Sequence, residues 1–130
     1  MQKTIINPWQ WQYNLGYSQA IEIKHSESTL YCAGQASMNA DGVPVAGSMA
    51  DQIRLSCQNL EEVIDQAGYE PGNIVRLNIY TTSIPLFFEA YEELLSWLRQ
   101  HKCAPSSTLS QVQNLAFPQL SVELEATVVK

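Results

Sequence analysis

An α+β domain is the architecture this sequence predicts, and three observations carry that expectation. Period-two alternation marks short stretches near both ends of the chain, two long stretches of period three to four lie between them, and a β-rich run separates those two. At 130 residues, 45% hydrophobic and 15% charged, the chain has the size and composition of one globular unit around a single core. No apolar run approaches the ~20 residues that a helix needs to cross a bilayer.

The elements follow in order. Tyr17, Gln19, Ile21 and Ile23 share one parity and Ser18, Glu22 and Lys24 the other, which predicts a strand starting at Tyr17. The polar break at 25–28 separates it from a second strand over 29–33. Asn39-Ala40-Asp41-Gly42 predicts a turn, because Gly accepts a positive φ and Asp bonds nearby backbone. From Ser48 to Gly68 the apolar positions Met49, Ile53, Cys57, Leu60, Ile64 and Ala67 advance by three and four, with Ser48 as N-cap and Gly68 just past the end. The run 74–81 is rich in Ile, Val, Tyr and Thr and reads as a strand with Arg76, Asn78 and Tyr80 on one face. Ser83 and Pro85 open a second helix, whose stripe Leu86, Phe87, Ala90, Tyr91, Leu94, Leu95 and Leu98 carries it to about Gln100. A weak strand over 108–113 and a full one over 120–128 close the order. Two helices can cover only one face of a sheet of about five or six strands, so the other face is either solvated or packed against an identical sheet.

Charge and cysteine usage narrow the function classes. Seven Lys and Arg against thirteen Asp and Glu give a net charge of -6, which repels a phosphate backbone where no basic cluster offsets it. Cys32, Cys57 and Cys103 are widely spaced and odd in number, which argues against a disulfide framework or a zinc site. The first eight residues lack the apolar stretch of an export signal, and the cytoplasm is the expected compartment. Nucleophile elbows, zinc-binding helices and phosphate-cradling Gly-rich loops are all missing.

What remains is a set of polar groups at strand ends: Tyr17, Gln35, Ser107, Thr108, Gln111, Glu123 and Glu125. Glu123 and Glu125 share one strand face about 7 Å apart. One of them could position or activate a water as general base; a solvated face or a structural ion pair is the alternative. Tyr17 could place a phenol in a cleft or simply pack. Trp9 and Trp11 read as anchors for the N-terminal segment, since no basic residue interleaves them as nucleic-acid stacking would require. Cys103 reads as a small, semi-buried residue, with reactivity the alternative.

Taken together, Asn7-Pro8-Trp9, the segments 15–20 and 31–35, the run 75–82 and Val122-Glu123-Leu124-Glu125-Ala126 resemble the RidA family, also called the YjgF family, over nearly the whole chain. The resemblance implies a chorismate-mutase-like fold, a mixed sheet with two helices on one face. It also implies a homotrimer with sheets facing inward and a small-molecule cleft at each subunit interface. Well-understood members hydrolyse enamine and imine intermediates released by pyridoxal-phosphate enzymes, holding the substrate carboxylate with an Arg and positioning water with a Glu; they need no metal or cofactor of their own. On that resemblance Tyr17 matches the pocket Tyr and Glu123 the water-positioning Glu, with Ala33, Gly34, Thr108, Leu109 and Phe88 among the substrate-binding positions.

The Arg is absent. The family's Pro-x-Arg-Ser/Thr segment stands here as Pro105-Ser106-Ser107-Thr108, with Ser107 in place of the guanidinium. Exchanging a charged bidentate donor for a neutral hydroxyl sacrifices about 2 to 4 kcal/mol of carboxylate binding. Ala33 replaces a common pocket hydroxyl, and Leu109 a small residue or Cys. The expected function is thus either an imine or enamine hydrolase of altered specificity or a trimer that only binds its ligand, with an endoribonuclease as a lesser alternative.

Overall fold

The computed structural model describes residues 1–130. Its strands are β1 (Gln2–Ile6), β2 (Ala20–Lys24), β3 (Thr29–Tyr31), β4 (Gln35–Ala36), β5 (Ile74–Thr81), β6 (Ser106–Gln111) and β7 (Val122–Val129), and its helices α1 (Met49–Gln66), α2 (Ile84–Glu89) and α3 (Tyr91–Gln100). β5 is central, parallel to β6 and antiparallel to β7, so the sheet is mixed. β3 and β4 lie end to end along the far edge of β7. Between them three residues, Cys32 to Gly34, face the two residues Glu125 and Ala126, and the surplus one makes a bulge. β1 and β2 form an antiparallel hairpin that reaches the main sheet through Ser18, whose N–H donates to the Pro105 carbonyl at 2.9 Å.

α1 is built as its sequence requires. Ser48 Oγ accepts from the Asp51 N–H at 3.1 Å, and the Asp51 carboxylate accepts from the Ser48 N–H at 3.3 Å, which satisfies two otherwise orphaned donors. Those bonds to Ser48, helped by Arg54, hold the Asp51 carboxyl below its ordinary value. Beyond Ala67, Gly68 takes φ 76° and lets the chain leave the helix. Ile53, Leu60 and Ile64 on α1 and Leu94 and Leu98 on α3 then pack on Leu77, Ile79, Val122, Leu124 and Val128. Cys57 completes that buried face as a small apolar residue.

Several expectations are corrected. Gln2–Ile6 forms a strand although the sequence there hardly alternates, because β2 supplies its partner. The strand expected from Tyr17 begins at Ala20. The helix expected over 84–100 is broken at Ala90, whose N–H bonds back to the Phe87 carbonyl at 3.1 Å, a tighter closure than α-helical pairing. In the 39–42 turn Asn39 supplies the side-chain acceptor, bonding the N–H groups of Asp41 and Val43, while Gly42 takes φ 75°. Trp9 and Trp11 are 58% and 63% exposed and do not anchor the N-terminal segment in the chain interior; Trp11 meets Tyr17 in a T-shaped pair, 6.3 Å between ring centroids.

Candidate functional site

The pleat divides the candidate residues between the two faces of the sheet. In β6, Ser107 and Leu109 pair with Leu77 and Ile79 on the helix-covered side. Thr108 alternates to the open side, where its hydroxyl accepts from Arg76 at 2.6 Å. In β7, Val122 and Leu124 enter the core, which sends Glu123 and Glu125 to the open side.

On the helix side lies a cavity of about 200 Å³. β5 and β6 form its floor with Ile79, Ser107 and Leu109; Leu15 and Tyr17 come from the N-terminal crossing; Phe87, Phe88 and Tyr91 come from the α2–α3 break. That break turns three aromatic rings toward one another, with Tyr91 centred 5.4 Å from Phe87 and 5.6 Å from Phe88. Gly16 makes the crossing possible: it holds φ 79°, and a Cβ there would stand 2.5 Å from Leu95 Cδ2. Burial, with the Tyr17 phenol beside it, pushes the Tyr91 phenol up. Gln111 donates no ligand group here, since its side-chain oxygen accepts from the Ile84 N–H at 2.9 Å and steadies the start of α2.

The open face carries a different chemistry. Glu125 Oε1 accepts from Asn78 Nδ2 at 2.9 Å and from the Tyr80 phenol at 3.1 Å. The bond to Glu125, followed by burial and the nearby carboxylate charges, raises the Tyr80 phenol. Arg76 donates to Asn78 Oδ1 at 2.9 Å as well as to Thr108, so one polar row ties β6, β5 and β7 together. Glu123, paired in register with Tyr80 and Ala36, adjoins that row without a side-chain hydrogen bond to it and lies over the bulge. A Cβ on Gly34 would sit 1.7 Å from Glu123 Oε1, so only glycine leaves the carboxylate its place. Ala33 precedes it, its carbonyl accepting from Gln35 Nε2 at 3.4 Å.

Tyr17, Phe88, Ser107 and Leu109 therefore share the cavity, whereas Glu123 and Gly34 meet on the opposite face, with Thr108 on that face under Arg76. Leu15, Ile79, Phe87 and Tyr91 were not singled out as lining residues in the sequence, nor Arg76, Asn78 and Tyr80 as partners of Glu125. The concentration of aromatics at 87–91 and the shared parity of 76, 78 and 80 were the available signals. Cys103 is buried, and burial pushes its thiol up to about 11. No cluster of three His, Cys, Asp or Glu side chains is placed to hold a metal ion, and no helix is long and apolar enough to cross a membrane.

Comparison with known proteins places this geometry. The family described as Endoribonuclease L-PSP matches residues 12–130. Protein mmf2, mitochondrial, of Schizosaccharomyces pombe is 36% identical over 98 residues, covering 73% of this chain and 75% of the relative. The Escherichia coli protein named "Putative reactive intermediate deaminase TdcF" is 25% identical over 115 residues, 88% of this chain and 86% of its own. Among solved structures, the Yersinia pestis Rid-family protein YyfB, described as of unknown function, superposes with a TM-score of 0.88 at 31% identity over 100% of both chains. E. coli TdcF with bound serine superposes with a TM-score of 0.72 at 25% identity over 88% and 87%. With its mixed sheet, its helices on one face and its whole length accounted for by these matches, the chain belongs to the Endoribonuclease L-PSP family, the RidA or YjgF family.

Proposed function

We propose that this protein is a small-molecule hydrolase of imine or enamine metabolites, working in clefts between the subunits of a homotrimer, with a specificity shifted away from 2-imino acids. One observation carries the reading: Glu125 is tied down by Asn78 and Tyr80, while Glu123 is left over a glycine that makes room for its carboxylate. A carboxylate so placed takes a proton from water as the water oxygen attacks the C=N carbon. The proton then passes to nitrogen to give a carbinolamine, and when the carboxylate carries the hydroxyl proton to nitrogen in turn the C–N bond breaks, ammonia leaves and the carbon becomes a carbonyl. The cavity and Glu123 occupy opposite faces of one sheet, so an assembled site takes its aromatic wall from one chain and its carboxylate from the next. That need for two chains supports the trimer. The name of the TdcF relative supports deamination.

A second reading, a trimer that binds its ligand without turning it over, is favoured by Ser107. Its hydroxyl donates to the Leu77 carbonyl at 2.8 Å, and the cavity lining holds no cation to clamp a carboxylate. Ribonuclease chemistry, despite the family's description, is opposed by the net charge of -6. The cytoplasm is the proposed compartment; the mmf2 relative is mitochondrial by name.

The test generates 2-imino acids from serine or threonine with a dehydratase and follows ammonia release. Wild-type protein should run near the buffer background. Ser107→Arg should recover hydrolysis, and adding Glu123→Gln should abolish the gain, because an amide keeps the shape but accepts no proton. A double variant as active as Ser107→Arg alone would remove Glu123 from the chemistry. No gain from Ser107→Arg in an intact trimer would favour the binding reading.

A further inference from the structure

The cavity's hydroxyl hydrogens are already committed. A hydroxyl has one hydrogen and two lone pairs, and a carbonyl oxygen can only accept. The 2.8 Å contact from Ser107 Oγ to the Leu77 carbonyl therefore uses the Ser107 hydrogen, and the contact from the Tyr91 phenol to the Leu15 carbonyl uses that of Tyr91. Both oxygens are left with lone pairs alone for any ligand. Of the lining side chains only Tyr17 keeps a polar hydrogen free to turn either way, and the remaining wall is apolar, including Phe87, Phe88 and Leu109.

This pattern of acceptors selects by charge. A carboxylate would meet one neutral donor at Tyr17, two oxygens that offer only lone pairs, no cation, and a chain of net charge -6, while losing its hydration to an apolar wall. An ammonium group would lose as much hydration with no counter-ion in the lining that one chain supplies, and a Glu123 carboxylate brought by the next chain would have to be desolvated along with it. A flat, uncharged molecule loses little, gains the aromatic faces, and satisfies a buried acceptor if it carries an N–H. We propose that the cavity takes an uncharged, planar molecule that presents an N–H donor to Ser107 Oγ, such as a carboxamide or a neutral imine, and rejects carboxylates. The proposal rests on the hydrolase reading only in naming the imine as the reactive member of that class.

Three probes of one shape separate the alternatives by titration calorimetry on the intact assembly: benzamide, with an N–H donor; acetophenone, without one; and benzoate, with a charge. Benzamide should bind about fivefold to tenfold more tightly than either other probe, the span of one neutral hydrogen bond. Ser107→Val should bring benzamide down to acetophenone and leave acetophenone unchanged, and Leu109→Trp should abolish binding by filling the cavity. If a variant fails to fold, the wild-type order of the three probes decides. Benzoate binding as tightly as benzamide, or no saturable benzamide binding, would overturn the proposal. In Glu123→Gln the probe order should persist, so hydrolysis retained when Glu123→Gln is added to Ser107→Arg, with the wild-type probe order intact, sinks only the hydrolase reading, and a reversed wild-type order with hydrolysis lost in that double variant sinks only this one.

Discussion

At Gly34 a missing side chain defines the site more sharply than any present one. Gly34→Ala would drive a Cβ to 1.7 Å from Glu123 Oε1. The obstacle is the far end of a flexible side chain, so the carboxylate moves and the fold survives. The expected cost is under ~1 kcal/mol in urea unfolding, with loss of the hydrolysis gained in a Ser107→Arg background. A large stability loss with hydrolysis retained would show that the bulge, and not the carboxylate, needs the glycine. The thiols behave oppositely, as parts of the packing. Burial, with the Glu61 and Glu93 charges, pushes Cys57 up to about 12, and burial takes Cys103 up to about 11. At pH 8 the reactive thiolate is therefore scarce, and a disulfide reagent should label neither until denaturant is added. Prompt labelling of native protein would contradict that.

Among the elements, α1 carries the clearest local logic, since Ser48 and Asp51 close its first turn reciprocally. Ser48→Ala should cost about 1 kcal/mol by urea unfolding at neutral pH. The Asp51 carboxyl is held below its ordinary value of 3.8. Its contribution is complete above that value and is lost as pH falls through the lower folded one. Asp51→Asn should accordingly flatten the acid end of the stability profile, and an unchanged profile would show that the box contributes nothing. The break at Ala90 is the functional counterpart: it turns what would be one helix into two and sets Phe88 and Tyr91 around the cavity.

For the whole molecule, the open sheet face with its row of Arg76, Asn78, Tyr80 and Glu125 is the contact that the proposed trimer would use between copies. Light scattering should report about 44 kDa, three times the 14.6 kDa chain. Glu125→Ala strips Asn78 and Tyr80 of their shared acceptor, and should weaken assembly more than it lowers the unfolding midpoint of the chain. A stable monomer at micromolar concentration would leave the cavity and Glu123 permanently on opposite faces, and the hydrolase reading would fall.

By itself the sequence determined what depends on neighbours a few residues apart. The cap at Ser48, the stop at Gly68, the stripe from Ile53 to Ile64, and the alternation that puts Glu123 and Glu125 on one face of the last strand were all legible, because helix and strand periods are local. The family could be read the same way, from motifs in order along the chain. Tertiary structure decided the rest. β1 exists only through its pairing with β2, and the bulge at Gly34 only through the mismatch of one residue against β7. That Ser107 and Glu123 stand on opposite faces follows from the register of three strands distant in sequence. That the Ser107 hydrogen is already committed follows from a carbonyl thirty residues away. Neither follows from local periodicity, because which oxygen a hydroxyl reaches is set by the packing of the sheet and not by the chemistry of the serine.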